Sequence, residues 1–144
     1  NLAYGAQLKS VENLTAIVQM DSENIGATDD KTEATKAFVG YELEKLRVSA
    51  SIHNYKNAMG STASDQDNMG VFAAFEVMDN LEVFVNYAQQ TDKPTAGSDQ
   101  ETTTTTFGVS RSFGSARTVT TYETVKPPTG DETTQVTFAM EYNF

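Results

Sequence analysis

The stretch Val136-Thr137-Phe138-Ala139-Met140-Glu141-Tyr142-Asn143-Phe144 decides the fold. Side chains alternate across an extended strand with period two, so Val136, Phe138, Met140, Tyr142 and Phe144 share one face, while Thr137, Ala139, Glu141 and Asn143 share the other. The apolar face gains rings toward its end, whereas the last residues of a soluble domain are usually polar and frayed. An amphipathic strand of a soluble sheet has the same alternation, so the choice rests on the remaining residues.

Working back from that strand, the chain reads as extended segments separated by two kinds of break. Short breaks fall at Ser10–Asn13, Glu42–Lys45, Met78–Asn80 and Phe113–Ser115. Long ones, rich in Gly, Ser, Thr, Asp and Pro as irregular loops are, fall at Asp21–Thr32, Lys56–Asn68, Gln90–Glu101 and Lys126–Thr133. Nine strands are predicted, roughly 2–9, 14–21, 34–43, 45–55, 69–77, 81–90, 102–113, 116–125 and 134–144. Most reach the ~9–11 residues that a tilted strand needs to cross a bilayer. Nothing helical separates them. The expected fold is therefore all-β, an antiparallel up-and-down meander that closes into a barrel to remove its edges. All short turns lie at one end and all long acidic loops at the other, as in membrane barrels with periplasmic turns and extracellular loops.

Parity assigns the faces. One carries Leu14/Ala16/Val18/Met20, Ala37/Val39/Tyr41/Leu43, Leu46/Val48/Ala50/Ile52, Val71/Ala73/Phe75/Val77 and Leu81/Val83/Val85/Tyr87. The other carries Gln19, Lys36, Glu42, Arg47, His53, Glu76, Glu82, Arg117 and Glu141. Tyr41, Phe113, Tyr142 and Phe144 fall near the short turns, with Tyr87 and Tyr122 toward the long loops, as two interfacial aromatic belts would place them. Two places fit badly. Arg111 shares parity with Phe107, Val109 and Phe113, and needs to snorkel to the interface if that face meets lipid. In 116–125, Ala116/Thr118/Thr120/Tyr122 competes with Val119/Thr121/Val125 for the apolar face.

Composition agrees with a membrane barrel and excludes other classes. The 144 residues suffice for one domain, and only 38% are apolar, with no apolar run long enough for a membrane helix. A barrel escapes that limit because only every second residue faces lipid. Six Tyr, eight Phe and the regular alternation argue against disorder. A net charge of −10 disfavours nucleic acid as a partner, and the absence of Cys excludes disulfides and thiolate metal sites.

Tyr4-Gly5-Ala6-Gln7-Leu8, Phe107-Gly108-Val109-Ser110 and the final Val136–Phe144 strand together resemble a Gram-negative general porin, specifically its C-terminal part. The resemblance implies a sixteen-stranded barrel in the cell outer membrane, of which residues 1–144 form the C-terminal portion, from strand eight to sixteen. It implies a homotrimer surrounded by outer-membrane lipid and lipopolysaccharide, passing small hydrophilic solutes by passive diffusion without a cofactor. Phe138, Met140, Tyr142 and Phe144 then match the signal recognised by the barrel-assembly machinery. The constriction loop of such porins belongs to the N-terminal half and is not expected here. An odd count of nine also implies earlier strands, since single-chain bacterial barrels have even numbers. The alternative is a small closed outer-membrane barrel with a structural or adhesive role through its acidic loops.

Candidate pore-lining residues are Lys36, Arg47, His53, Glu76, Glu82 and Arg117, because charges on a pore wall set ion selectivity. The basic members pair equally well, on parity, with Glu42, Glu76 and Glu82. His53, the sole histidine, lacks a nucleophile or carboxylate pair at diagnostic spacing, so no catalytic role is expected. Asp29-Asp30 and Asp65-Gln66-Asp67 match no cation-binding loop and are expected as solvated acidic loops.

Overall fold

The computed structural model describes residues 2–8, 12–24, 31–57 and 64–142. They form nine strands in one antiparallel sheet of order β1 to β9: Leu2–Leu8, Leu14–Asn24, Lys31–Leu43, Leu46–Lys56, Ser64–Met78, Leu81–Pro94, Gln100–Phe113, Ala116–Lys126 and Thr133–Tyr142. Every strand pairs only with its sequence neighbours. The alternating pattern and the punctuation by turn residues thus give the expected all-β meander.

The ladders fix the two faces. One hydrogen-bonded row runs through Leu14, Tyr41, Val48, Ala73, Val85, Phe107, Tyr122 and Val136, all apolar or aromatic. One residue along, the row on the other face runs through Thr15, Gly40, Ser49, Phe72, Asn86, Thr106, Glu123 and Gln135. The apolar row starts at the first residue of β2, beside a short turn, and ends four residues into β9, near the long-loop end. Successive strands therefore step past one another, which is the stagger of a barrel wall whose strands tilt.

A single sheet has no interior of its own. Only Ala34, Ala74, Ala116 and Ser110 are buried, together with Gly108, among the described residues. Large apolar side chains from Tyr4 to Tyr142 stand exposed, and all but Phe38 and the bulged Val77 belong to the apolar face. An uncovered apolar area of this extent needs a lipid or protein partner.

β8 resolves the ambiguity of its sequence: Ala116, Thr118, Thr120 and Tyr122 pair with Tyr142, Met140, Phe138 and Val136 and so join the apolar face. Arg111 is on that face too, two residues from the end of β7, with its guanidinium 4.8 Å from the Phe113 ring centroid. A bulge between Glu76 and Met78 leaves Val77 unpaired and makes Met78 the partner of Leu81.

The strands overrun the expected breaks. β5 has 15 residues and β6 and β7 have 14 each, extending into segments that read as loops from their Asp, Gln and Thr content. Asp65, Gln66 and Asp67 are correspondingly strand residues rather than loop residues. Backbone ladders keep their polar groups satisfied there, and side chains add bonds: Gln66 Nε2 donates to Asp92 at 2.7 Å and Asn54 Nδ2 to Asp67 at 2.7 Å.

The opposite end is tight. Turns at 44–45, 79–80 and 114–115 take only two residues, with positive φ at Glu44, Asn80 and Gly114. Asn and Gly tolerate that region best among residues. Three turns, the one at 12–13 and those at 44–45 and 79–80, are tied to the next hairpin: Asn13 O accepts from Glu42 N at 2.9 Å, Lys45 O from Glu76 N at 2.8 Å, and Asn80 O from Ser112 N at 2.9 Å.

Candidate functional site

The polar face divides into three levels. Nearest the long loops, Lys36 Nζ lies 3.0 Å from Asp21, and Gln19 Nε2 donates to the same carboxylate at 2.8 Å. Lys36 also stands 6.0 Å from the Tyr55 ring centroid, and His53 meets Tyr55 edge-on at 6.3 Å. Register brings these groups together, since Lys36 pairs with both Gln19 and His53.

At the short-turn end a second charged group forms. Arg47 of β4 reaches over β5 to an ion pair with Glu82 of β6. Ala74 of β5, the register partner of both Arg47 and Phe84, is only 2% exposed. A methyl at position 74 leaves room for the long basic stem to lie flat on the sheet. Glu76 pairs with Glu82 and accepts from Asn80 N at 3.2 Å. Farther on, Arg117 donates to Ser110 Oγ at 3.3 Å and lies 4.0 Å from Glu141. Arg47, Glu76, Glu82, Ser110 and Arg117 line one depression of about 420 Å³.

All six candidate residues therefore share the polar face, but the basic ones are not free charges. Lys36, Arg47 and Arg117 each sit against a carboxylate, which keeps them from acting as isolated cations. Among the described side chains, seven carboxylates share this face with those three bases: Asp21, Glu42, Glu76, Glu82, Asp92, Glu123 and Glu141. Its balance is acidic.

Between the charged levels lies a band that the sequence reading missed. Phe38, Phe72 and Phe84 occupy polar-face positions, opposite Ser51, Ser49 and Gly108 respectively. The Phe84 ring lies flat on Gly108, where an added Cβ would stand 2.0 Å from Cζ. Phe72 and Phe84 have centroids 6.1 Å apart. Phe38 leans along its own strand over Gly40. The signal was present, because positions 36, 38, 40 and 42 share parity, and Phe38 falls between two charged residues that mark the polar face.

Phe138, Met140 and Tyr142 all project from the apolar face of β9 and are more than half exposed. Phe144 and Asp29-Asp30 lie outside the described residues. No group of three or more metal-ligating side chains occurs among the described residues. Among the described residues no helix is long and apolar enough to cross a membrane.

The sequence matches no protein-family model and no functionally curated protein. Solved structures do match. An anion-selective porin from Comamonas acidovorans superposes with a TM-score of 0.83 at 19% identity, over 99% of this chain and 44% of that one. A loop-deletion mutant of OmpT, an outer-membrane protein of Vibrio cholerae, gives 0.78 at 16% identity, over 97% of this chain and 51% of that one. In-vitro folded OmpT in its trimer form gives 0.63 at 18% identity, over 87% of this chain and 44% of that one. The chain thus spans about half the length of these barrels, and its fold is that of an outer-membrane β-barrel wall.

Proposed function

We propose that this sheet is part of the wall of a water-filled channel in a Gram-negative outer membrane, through which small hydrophilic solutes and ions diffuse passively. The observation that carries the reading is the pair of adjacent rows described above: one apolar across eight strands, the next almost wholly polar. Lipid accounts for the first and water for the second. The fold shared with a protein described as an anion-selective porin supports a channel, and a trimer form among the matching structures supports a homotrimer. Lipid and lipopolysaccharide meet the apolar face, and the barrel-assembly machinery reads the terminal strand. Residues 1–144 are then the C-terminal portion of one barrel domain, and the protein turns nothing over.

On this reading Lys36, Arg47, His53, Glu76, Glu82 and Arg117 line the pore. The excess of carboxylates gives this part of the wall a preference for cations, in contrast to the anion selectivity named for the Comamonas protein. The test is conductance of the intact barrel in a planar bilayer under a potassium chloride gradient. Steady ohmic steps with a reversal potential on the cation-selective side are expected. A folded, inserted barrel that passes no current would sink the channel reading.

A further inference from the structure

Phenylalanine rings on a water-facing wall are costly to expose, and two of them flank a groove. Phe38 and Phe72 bound a depression of about 220 Å³ floored by Gly40 and Ser49, with Glu42 and Arg47 at its short-turn end. The register sets its dimensions. Gly40, Ser49 and Phe72 form one row, and Glu42 and Arg47 belong to the next row on the same face, two residues or about 7 Å along the strands. Phe38 on β3 is level with Gly70, so Phe72 on β5 lies two inter-strand spacings across and two residues along, roughly 12 Å away at the backbone. A flat ring needs about 7 Å between two others to touch both. The Phe38 ring, tipped over Gly40, reaches the row of Gly40, Ser49 and Phe72 and so removes the offset along the strand.

Charge selects what enters. Arg47 is committed to Glu82, whereas Glu42 has no side-chain partner among the described residues and is exposed. The uncompensated charge at the end of the groove is negative. We infer that this groove is a binding station for small organic cations bearing a flat apolar group, of the arylalkylamine class. The aryl group lies between Phe38 and Phe72, and its ammonium, one or two methylenes away, meets Glu42 and the negative faces of the same rings. The inference rests on the channel reading for access, because only a water-filled lumen brings solute to this face.

Phenethylamine is the probe, with 3-phenylpropionate and ethylamine as controls lacking the positive charge or the ring. Calorimetric titration of the detergent-folded intact barrel is expected to show saturable binding of phenethylamine alone. Phe38→Ala and Phe72→Leu should each weaken it by roughly 3–10-fold, and Glu42→Gln by about 3–5-fold. Phe72→Leu preserves apolar bulk, so a loss there reports the ring and not unfolding. Equal binding of 3-phenylpropionate and phenethylamine, or affinity unchanged in both ring variants, overturns the proposal. Conductance separates the two readings. Binding without ionic current removes the channel and keeps the station, and current without ring-dependent binding does the reverse.

Discussion

The wall around β4 to β6 and the wall of β8 and β9 are made of the same ladder, yet their polar faces are dressed differently. In the first, Arg47 spans a whole strand to reach Glu82, Ala74 between them in β5 is buried, and the rings of Phe72 and Phe84 lie close together, Phe84 over Gly108. In the second, Arg117 makes only a 3.3 Å bond to Ser110 and a 4.0 Å approach to Glu141, and every described side chain of β9 is exposed. The ladder is the main link between β9 and β8. The contrast teaches that hydrogen-bond ladders suffice to make the sheet, while close side-chain seating on the polar face is concentrated from β4 to β7.

The largest expected break in that contrast is at Gly108. Gly108→Val forces the Phe84 ring off its seat and should destabilise folding by about 1–3 kcal/mol, the usual range for overpacking. Urea titration of the detergent-folded barrel reads it, and Phe84→Ala in the same chain should recover much of the loss. Additive effects of the two changes would mean that the ring does not rest on the glycine.

A smaller difference separates the two arginines. Removing Arg47 leaves Glu82 beside Glu76 without its partner, whereas removing Arg117 releases only weak contacts. Arg47→Gln should cost about 0.5–1 kcal/mol, discounted because the guanidinium is about half exposed, and Arg117→Gln less. Both should move the reversal potential further toward cation selectivity, since each removes a positive charge from an acidic wall. Equal stability losses would erase the distinction drawn between the two regions.

The smallest effect lies outside the apolar band, where β5 and β6 run on toward the loops. The Lys93 ammonium, and then the Asn54 amide, hold the Asp67 carboxyl below its ordinary value of 3.8. Bonding to Asp67 raises Lys93 above 10.5. The stabilisation from Asp67 is therefore complete above about pH 3.8 and disappears as pH falls through its folded value. That from Lys93 is complete below 10.5 and disappears as pH rises beyond it. Asp67→Asn should lower the unfolding midpoint slightly at pH 7 and flatten part of the acid limb, the difference from the parent vanishing as pH falls through the folded value of Asp67. Coincident acid limbs would show that this pair contributes nothing.

Much of the architecture was legible because period-two alternation is written directly into residues such as Leu46, Val48, Ala50 and Ile52. The face of β8 was not, since Thr and Val serve either face and only pairing with Phe138 and Met140 decides. Strand ends toward the loops were hidden because Asp65, Gln66 and Asp67 carry a loop composition, while their bonds to Lys93, Asn54 and Asp92 come from neighbouring strands. The six polar-face candidates could be placed by parity. Parity offered Glu82 among the possible partners of the basic residues but could not single it out for Arg47, which lies two strands away. The aromatic band was missed for a different reason: Phe on a polar face runs against the pattern used to find the face.

The turn latches give the sheet a direction of growth. The carbonyls of Asn13, Lys45 and Asn80 each accept from a residue of the following hairpin. A hairpin that has just formed thus presents an acceptor that its successor takes over from water. With all pairing between sequence neighbours, each addition closes a short segment of chain and carries little entropic penalty. A sheet of this kind can be assembled in a stream, hairpin after hairpin, without waiting for distant parts of the sequence to meet.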